Sequence, residues 1–421
     1  MAEVHPFAAI RYAPEAGDLA SLVCPPFDVI TPEQQEALHA RSPHNIVRVE
    51  LGRTLPGDNQ ANRYTRAAEQ LHQWLREGAL HADQAPAIYV VRARFRYAGR
   101  ERAGYRLFAR VRLEPFGRGI RPHEVTLPGP IEDRLRLLRA CRVNVSPVMS
   151  LFRLAPDEPD PLAPLARGDP DFEARDVEGV DYSGWVVSEP RATGEVAAFF
   201  RARPVYIAEG HHRYTTALAY RDERLAAGAG SEDGCNYVLM TLTASNDDSL
   251  VLLPTYRLLR QAPPARDVER LLRAGFEIER LARPDEEEWQ RIAAGESERQ
   301  SIGVYGLEPA TLWLLRPRDP EALRSRLPRG RCLGWLALSA ALLHELVLPA
   351  IVPPDEADVT YPRTFRETIQ AVDNGENALA FLLPPPNVSA VLDVADAGER
   401  MPPKSTYFYP QTPTGLVLNP L

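Results

Sequence analysis

The sequence predicts a mixed α/β fold, of the α+β kind with mixed sheets, in a two-part globular protein. Strand-like and helix-like patterns alternate along the chain, which is typical of sheets packed against helices. The chain has 421 residues, a length that suits about two to three domains. A stretch dense in Pro, Asp and Ala follows residue 155 and indicates a connecting segment. We therefore expect an N-terminal α/β domain over 1–150, a connecting segment over 151–194 and a C-terminal α/β domain over 195–421.

The elements of the N-terminal part are predicted from helix caps and from the spacing of apolar residues. Thr31 precedes a proline and can cap a helix, and Gly78 is typical of a helix end. Polar and apolar residues alternate over 44–51, which indicates a half-buried strand. The elements expected before residue 155 are a helix over 32–41, a strand over 44–51, a helix over 62–77, a hairpin of 87–95 and 104–113, a helix over 131–142 and a strand over 145–154.

The C-terminal part begins with an α/β unit of a helix, a strand, a glycine turn and a second helix. Its apolar run 333–352 approaches membrane-spanning length but contains His344 and Glu345, so a buried helix is expected there. The elements expected after residue 190 are helices over 194–202, 212–224, 333–347 and 364–371, a helix after Pro263, strands over 205–208, 237–244, 250–258, 378–383 and 388–394, and a hairpin within 301–316.

Composition and charge exclude several classes of protein. The net charge is −8 with no basic block, which argues against nucleic-acid or anionic-membrane partners. The four cysteines lie far apart and form no CxxC pair, so neither a zinc site nor a disulfide framework is expected. The N-terminus lacks the basic and apolar regions of a secretory signal. We expect a cytoplasmic protein.

The segment 205–214 contains the sharpest candidate site. An apolar strand is followed by Glu209, Gly210, His211, His212 and Arg213 at the predicted start of a helix. Backbone N–H groups and the helix dipole favour an anion at such a place, and an arginine can grip phosphate with two hydrogen bonds. The histidines can relay protons, and the carboxylate can act as a general base or a magnesium ligand. A capped turn with solvated histidines is the structural alternative.

Two further stretches carry charged residues in turn contexts. His123 and Glu124 precede a Pro-Gly-Pro turn and a predicted helix, and as neighbours they do not form the HExxH zinc motif. A guanidinium beside a rigid turn suits a phosphorylated or carboxylated small molecule, although a loop network of ion pairs would look the same. The candidate phosphate- and substrate-binding residues that follow this turn are Asp133, Arg134, Arg139 and Asn144. Those of the second stretch, the C-terminal tail over 401–410, are Lys404, Ser405 and Thr406.

A fourth group comes from the N-terminal 50 residues. Asp28 follows a Pro-Pro-Phe turn, and Asn45 and Arg48 lie with Glu50 on the polar face of the strand predicted over 44–51. We expect Asp28, Asn45 and Arg48 as possible lining of a site, against the simpler role of turn capping. No GxGxxG, P-loop, kinase glycine loop or Cys–His pairing is present in the sequence, and there is no zinc, flavin or nicotinamide signature.

Taken together, these motifs resemble the DUF1015 family of bacterial and archaeal proteins from end to end. The segments that carry the resemblance are CPPFDVI (24–30), NIVRVEL (45–51), RPHEVTLPGPIEDRLRLLRA (121–140), NVSP (144–147), YIAEGHHRYTTAL (206–218) and MPPKSTYFYPQTPTGLVLNPL (401–421). The sequence departs from the family pattern at Ile131, where a lysine is common, and at Glu209, where an aspartate is common. The segment around 200–225 is also similar to the box of the ParB and sulfiredoxin superfamily, which includes free serine kinases.

These resemblances imply nucleotide or phosphate binding and a place in serine metabolism, whereas the function of the DUF1015 family itself is unsettled. We expect a nucleotide-dependent phosphotransferase that acts on a small hydroxy compound such as serine, with ATP or ADP and Mg²⁺ held by Glu209 or Glu124. A phosphatase acting on a phosphorylated amino acid and a non-catalytic nucleotide or metabolite sensor are the alternatives. The predicted catalytic residues are Glu209, His211, His212, His123 and Glu124, gathered with the tail in one site. The sequence does not indicate an oligomeric state.

Overall fold

The computed structural model describes residues 2–155 and 157–421, which form two compact units. The first unit contains residues 2–122, 126–250 and 410–421, and the second contains 123–125 and 251–409. The boundaries predicted near 150 and 195 both fall inside the first unit. This is because strands from both sides of those boundaries pair in one sheet. The predicted domains and the observed units are thus different divisions of the chain.

The first unit is built on a mixed sheet that has nine strands among the described residues. The predicted hairpin is confirmed, and its two-residue turn has positive φ at Ala98 (50°) and Gly99 (76°), as a tight hairpin turn requires. The strand order across the sheet is Ile120–Arg121, Val205–Glu209, Val148–Phe152, Tyr237–Ala244, Arg100–Arg112, Ile88–Tyr97, Asp181–Val187 and Phe172–Arg175, with Val4–His5 paired to Arg100–Arg112.

Helices pack on this sheet, and short strand pairs complete the unit. The Thr31 hydroxyl accepts a hydrogen bond from Gln34 N, and the Gln34 side-chain oxygen accepts one from the Thr31 N–H, so the predicted cap is confirmed. The α-helices are Leu19–Leu22, Pro32–Arg41, Val47–Glu50, Arg63–Glu77, Pro128–Cys141, Pro190–Arg201 and His211–Ala226. The strand pairs are Ile10–Tyr12 with Leu80–Ala82, and Val143–Asn144 with Asn419–Pro420.

The strand predicted over 44–51 is wrong, because this segment contains the helical turn Val47–Glu50. The side chain of Asn45 explains the difference. Its Oδ1 accepts a hydrogen bond from Val47 N at 2.9 Å, and its Nδ2 donates to the Ser21 carbonyl at 2.7 Å. Val47 and Glu50 are both buried, at 0% and 2% exposure, so the alternating pattern did not mark one buried and one solvated face.

The second unit has its own six-stranded sheet within 251–409. The strand order is Phe276–Ala282, Thr311–Pro317, Ile302–Tyr305, Leu379–Leu383, Thr255–Leu259 and Val359–Thr360, and a separate pair joins Val251–Leu252 to Phe408–Tyr409. The α-helices are Ala265–Gly275, Glu286–Glu296, Pro320–Ser325, Leu333–Leu336, Ser339–Leu342, Leu348–Ile351, Phe365–Asp373 and Val388–Asp396. The mixed α/β prediction is therefore confirmed in both units.

Two predicted elements of the second unit differ in the structure. The strand expected over 388–394 is the helix Val388–Asp396, because Asn387 Oδ1 caps it by accepting from Ser389 N at 3.0 Å. The helix expected over 333–347 is divided, since Leu338 has an extended conformation, and a π-helical segment follows at Leu343–Val347. Across the residues that the structure describes, every helix is too short or too polar to cross a bilayer.

We expect Gly104→Ala to destabilise the first unit. A Cβ at this strand position would overlap the side chains of Asp247 and Ser249. Asp247 is held there, because its Oδ1 accepts from Ser249 N at 2.7 Å and its Oδ2 from Tyr105 N at 3.2 Å. The expected loss in the free energy of unfolding is about 1–3 kcal/mol, measured by urea denaturation. Gly194→Ala is the control, because no atom lies within 4 Å of its added Cβ in a helix interior. It should stabilise by roughly 0.5–1 kcal/mol, and equal effects of the two variants would contradict the packing argument.

Candidate functional site

The predicted strand–glycine–helix turn at 205–213 is present in the first unit. The strand Val205–Glu209 pairs with Ile120–Arg121 and with Val148–Phe152, and its register against the latter shifts between Ile207 and Glu209. Gly210 follows with φ of +94°, and the helix His211–Ala226 begins at the next residue. A left-handed conformation at this single residue reverses the chain, so the helix N-terminus lies directly beside the end of the strand.

The Arg213 side chain folds back over this turn. A Cβ at position 210 would lie 2.9 Å from Cζ and Nε of Arg213, so the guanidinium packs against the bare glycine backbone. One terminal nitrogen of Arg213 donates to Ser146 Oγ at 3.0 Å and to the Pro147 carbonyl. Its Nε is buried and has no hydrogen-bond partner among the described residues. Arg213 is thus held in one orientation, and its Nε–H is the donor that these contacts leave unpaired among the described residues.

The two adjacent histidines occupy different environments. His211 is buried at 2% exposure, whereas His212 is partly exposed. The Nε2 atom of His212 accepts a hydrogen bond from Leu127 N at 2.9 Å, which assigns the imidazole proton to Nδ1 in the neutral ring. Because Leu127 precedes the helix Pro128–Cys141, His212 connects the two helices that carry the predicted anion-binding residues.

Arg134 lies at the centre of a second set of polar contacts in the same unit. Its guanidinium is 7% exposed, and its Cζ lies 4.1 Å from the centre of the Phe27 ring. Nε donates to Asp133 Oδ2 at 2.8 Å, and a terminal nitrogen donates to the Glu50 carbonyl at 2.8 Å. Asp133 in turn accepts from the Tyr64 hydroxyl at 2.7 Å. Burial alone would raise the pKa of Asp133, but Arg134 and these hydrogen bonds outweigh it and hold the pKa below its usual range.

Glu50 is a buried carboxylate that connects these contacts, and the sequence analysis named it on the polar face of a strand but not among the candidate site residues. Its side chain is 2% exposed, and its Oε1 accepts from Phe27 N at 3.1 Å. Its Oε2 lies 3.8 Å from a terminal nitrogen of Arg134. Burial raises the pKa of Glu50, and the positive charges of Arg134 and Arg213 offset only part of that rise. The structure therefore brings the two arginines of separate motifs together around one acid.

The remaining candidates of the first unit have mainly structural contacts. Arg139 forms an exposed ion pair with Glu223 on the neighbouring helix. Asn144 is buried, and its Oδ1 accepts from Leu239 N at 3.0 Å. Asp28 is exposed in the 3-10 turn Phe27–Val29. Arg48 donates to a backbone carbonyl of the preceding helix at 2.8 Å, and Asn45 caps its own turn.

The other predicted site residues belong to the second unit. His123 is 1% exposed, and its Nε2 lies 3.0 Å from Thr406 Oγ1. Glu124 is partly exposed, Ser405 is buried, and Lys404 is an exposed turn residue with φ of +52°. A single site that joins these five residues to the Glu209 turn stays a prediction.

Magnesium also stays a prediction. Over 2–155 and 157–421, no three His, Cys, Asp or Glu side chains form a group that could hold a metal ion. Magnesium commonly binds through one or two carboxylates together with the phosphates of a substrate, so a single carboxylate such as Glu209 can serve without a cluster.

Comparison with known proteins assigns the family. The family model described as "Protein of unknown function (DUF1015)" matches residues 4–333. The chain belongs to this family. The comparison of this DUF1015 protein with curated proteins found no match. Its neighbours among solved structures are distant. They include a conserved hypothetical protein from Pyrococcus furiosus (14% identity, 71% of this chain and 92% of that chain, TM-score 0.32). They also include a free serine kinase in complex with AMP (14% identity, 69% of this chain and 83% of that chain, TM-score 0.33). A third is C-terminally truncated SbnI from Staphylococcus aureus (11% identity, 73% of this chain and 85% of that chain, TM-score 0.36).

Gly210→Ala should disturb the turn and Arg213 together. The left-handed backbone costs a residue with a Cβ about 1–2 kcal/mol, and the Cβ would also press on the Arg213 guanidinium. We expect a loss of unfolding free energy of at least that size, measured by urea denaturation. The control is Gly129→Ala, where no atom lies within 4 Å and no positive φ is required. A wild-type stability for Gly210→Ala would show that the turn tolerates another conformation.

Glu50→Gln should change the pH dependence of stability. A carboxyl whose pKa is raised in the folded state contributes stability at pH below its unfolded value, and this contribution is lost as the pH rises through the folded pKa. The variant keeps the acceptor for Phe27 N–H but does not ionise. Its stability relative to the wild type should therefore be higher at about pH 8 than at about pH 4, well above and near the ordinary glutamate pKa. Urea denaturation at both pH values measures the difference. A constant difference would mean that the folded pKa of Glu50 is not raised.

Proposed function

We propose that this protein is a phosphotransferase that moves a phosphoryl group from a nucleotide to the hydroxyl of a small compound such as serine. The observation that carries the proposal is the buried Glu50 carboxylate with a raised pKa beside Arg134 and Arg213. A general base of this kind works best when its pKa approaches the working pH, and burial moves a glutamate in that direction. The serine-like acceptor and the nucleotide donor, ATP or ADP, are those that the family resemblances imply.

In this proposal Glu50 accepts the proton of the substrate hydroxyl. As the hydroxyl oxygen bonds to phosphorus, the bond from phosphorus to the leaving nucleotide oxygen breaks, and the proton remains on the Glu50 carboxyl. Protonation is favoured there because the buried neutral acid needs no counter-charge. Arg134 then remains paired with Asp133, whose pKa is low, so the arginine keeps an anionic partner throughout the step.

The Arg213 turn supplies the complementary positive charge. Phosphoryl transfer is catalysed mainly by positioning and by neutralising charge on the transferred group. The N-terminus of His211–Ala226 presents backbone N–H groups and the positive end of the helix dipole, and Arg213 Nε–H has no partner of its own among the described residues. We assign phosphate binding to this turn, with Glu209 as the magnesium contact and the histidines as proton relays.

An assay of phosphoryl transfer tests the proposal. Purified protein is incubated with ATP or ADP, with and without serine and other hydroxy amino acids, and products are identified by mass spectrometry. We expect nucleotide consumption only with an acceptor, together with a phosphorylated amino acid. Phosphate release from phosphoserine without nucleotide would instead indicate a phosphatase. Nucleotide binding without any product would indicate a sensor, and either result would overturn the proposal.

Two variants should separate catalysis from folding. Glu50→Gln is expected to lower kcat by about 10²–10⁴ because proton transfer is lost, without a loss of thermal stability at neutral pH. Arg213→Ala is expected to lower kcat/KM by about 10²–10³, the effect of removing one preorganised donor. Arg136→Ala is the matched control, since Arg136 lies on the Arg134 helix in an exposed ion pair with Glu132. Full activity of Glu50→Gln would exclude Glu50 as the base.

A further inference from the structure

Arg257 of the second unit is a fully buried cation with neutral partners. Its side chain is 0% exposed, and it donates to Thr255 Oγ1 at 2.6 Å and to the carbonyls of Pro403 and Lys404 at 3.1 and 2.9 Å. Among the described residues no carboxylate lies within ion-pair distance of Arg257, and its Nε is buried without a hydrogen-bond partner. Burying a charge without a counter-charge costs several kcal/mol, so an anion bound nearby would stabilise Arg257.

A cavity of about 270 Å³ borders the partners of Arg257. Thr255 and Ser405 both line it, and Ser405 follows the Lys404 carbonyl that Arg257 contacts. Because the Thr255 oxygen accepts its hydrogen bond from Arg257, its own hydroxyl proton is available to a ligand. The guanidinium polarises this hydroxyl and strengthens it as a donor. The wall of the cavity beside Arg257 therefore suits an acceptor that carries negative charge.

Other parts of the cavity lining have a different chemistry. Glu298 and Asp393 line it with carboxylates, and Leu333 and Pro385 contribute apolar surface. Leu333 is 83% exposed, which is unusual for a large apolar side chain next to a cavity. A ligand that matches this lining needs a negative group for the Thr255 wall, a positive group for the carboxylates and an apolar remainder.

We propose that this cavity binds a free α-amino acid. The α-carboxylate accepts the Thr255 hydroxyl proton in the field of Arg257, the α-ammonium faces Glu298 and Asp393, and the side chain packs on Leu333. A phosphate group fits less well, because its second negative charge would be repelled by the same two carboxylates. The volume suits a molecule of this size better than a nucleotide, since pockets for larger ligands begin at about 300 Å³.

This binding does not depend on the proposed phosphotransfer. Thr255, Arg257, Glu298 and Leu333 have no part in that reaction, and Ser405 is the one candidate residue from the sequence that lines the cavity. Binding is measured directly with no nucleotide present, so the two proposals can fail separately.

Titration calorimetry of the full chain with each of the twenty standard amino acids tests the proposal. We expect at least one to bind with a Kd below about 1 mM. The amide and the N-acetyl derivative of the best ligand should each bind at least tenfold more weakly, because each lacks one of the two charges. Inorganic phosphate and acetate are the comparison ligands. Absence of binding by all amino acids, or tighter binding of phosphate, would overturn the assignment.

Variants locate the binding in this cavity. Thr255→Val keeps the side-chain shape without the hydroxyl and should weaken binding at least tenfold. Leu333→Glu changes an exposed residue and adds a carboxylate to the lining, so it should weaken binding without unfolding the protein. Leu271→Glu is its control, because Leu271 is 41% exposed on Ala265–Gly275 and does not line the cavity. Equal affinities of the two glutamate variants would place the ligand elsewhere.

Discussion

The burial of the Glu50 carboxylate is the constraint on which the first unit's polar interior depends. A carboxylate with 2% exposure needs hydrogen bonds and nearby positive charge. The Phe27 N–H supplies the first, and Arg134 and Arg213 supply the second from two different helices. Asp133 pairs with Arg134 and also with Arg63, so a second carboxylate lies among these guanidinium groups. The acid therefore links segments that are far apart in the sequence.

The turn at Gly210 makes the position of the Arg213 guanidinium possible. Its positive φ places the helix N-terminus beside the strand end, and the absence of a Cβ leaves room for the Arg213 guanidinium. The contacts to Ser146 and Pro147 then fix the arginine with its Nε–H unused by the protein. One backbone conformation thus sets both the helix dipole and the side-chain cation that the proposed chemistry requires.

The second unit shows the converse arrangement. Arg257 is buried among neutral oxygens, where burial lowers its pKa to about 10, and it remains charged at neutral pH. In the first unit a buried acid is surrounded by cations, whereas here a buried cation has no acid and borders a cavity. Each unit therefore contains a buried ionisable group, an acid in the first and a cation in the second, and the two proposals rest on these groups.

The sequence by itself determined the mixed α/β class, the hairpin, the Thr31 cap and the strand–glycine–helix turn at Gly210, because these follow from local spacing and capping. It did not reveal the helical turn at Val47–Glu50, since the Asn45 side chain that bonds to Val47 N is also held by the carbonyl of Ser21, a residue distant in the sequence. It likewise indicated Arg134 and Arg213 as site residues and named Glu50 on a predicted strand, but it did not place Glu50 with the two arginines. Burial and long-range charge decide a pKa, and only the tertiary structure brings distant residues close enough for either to act.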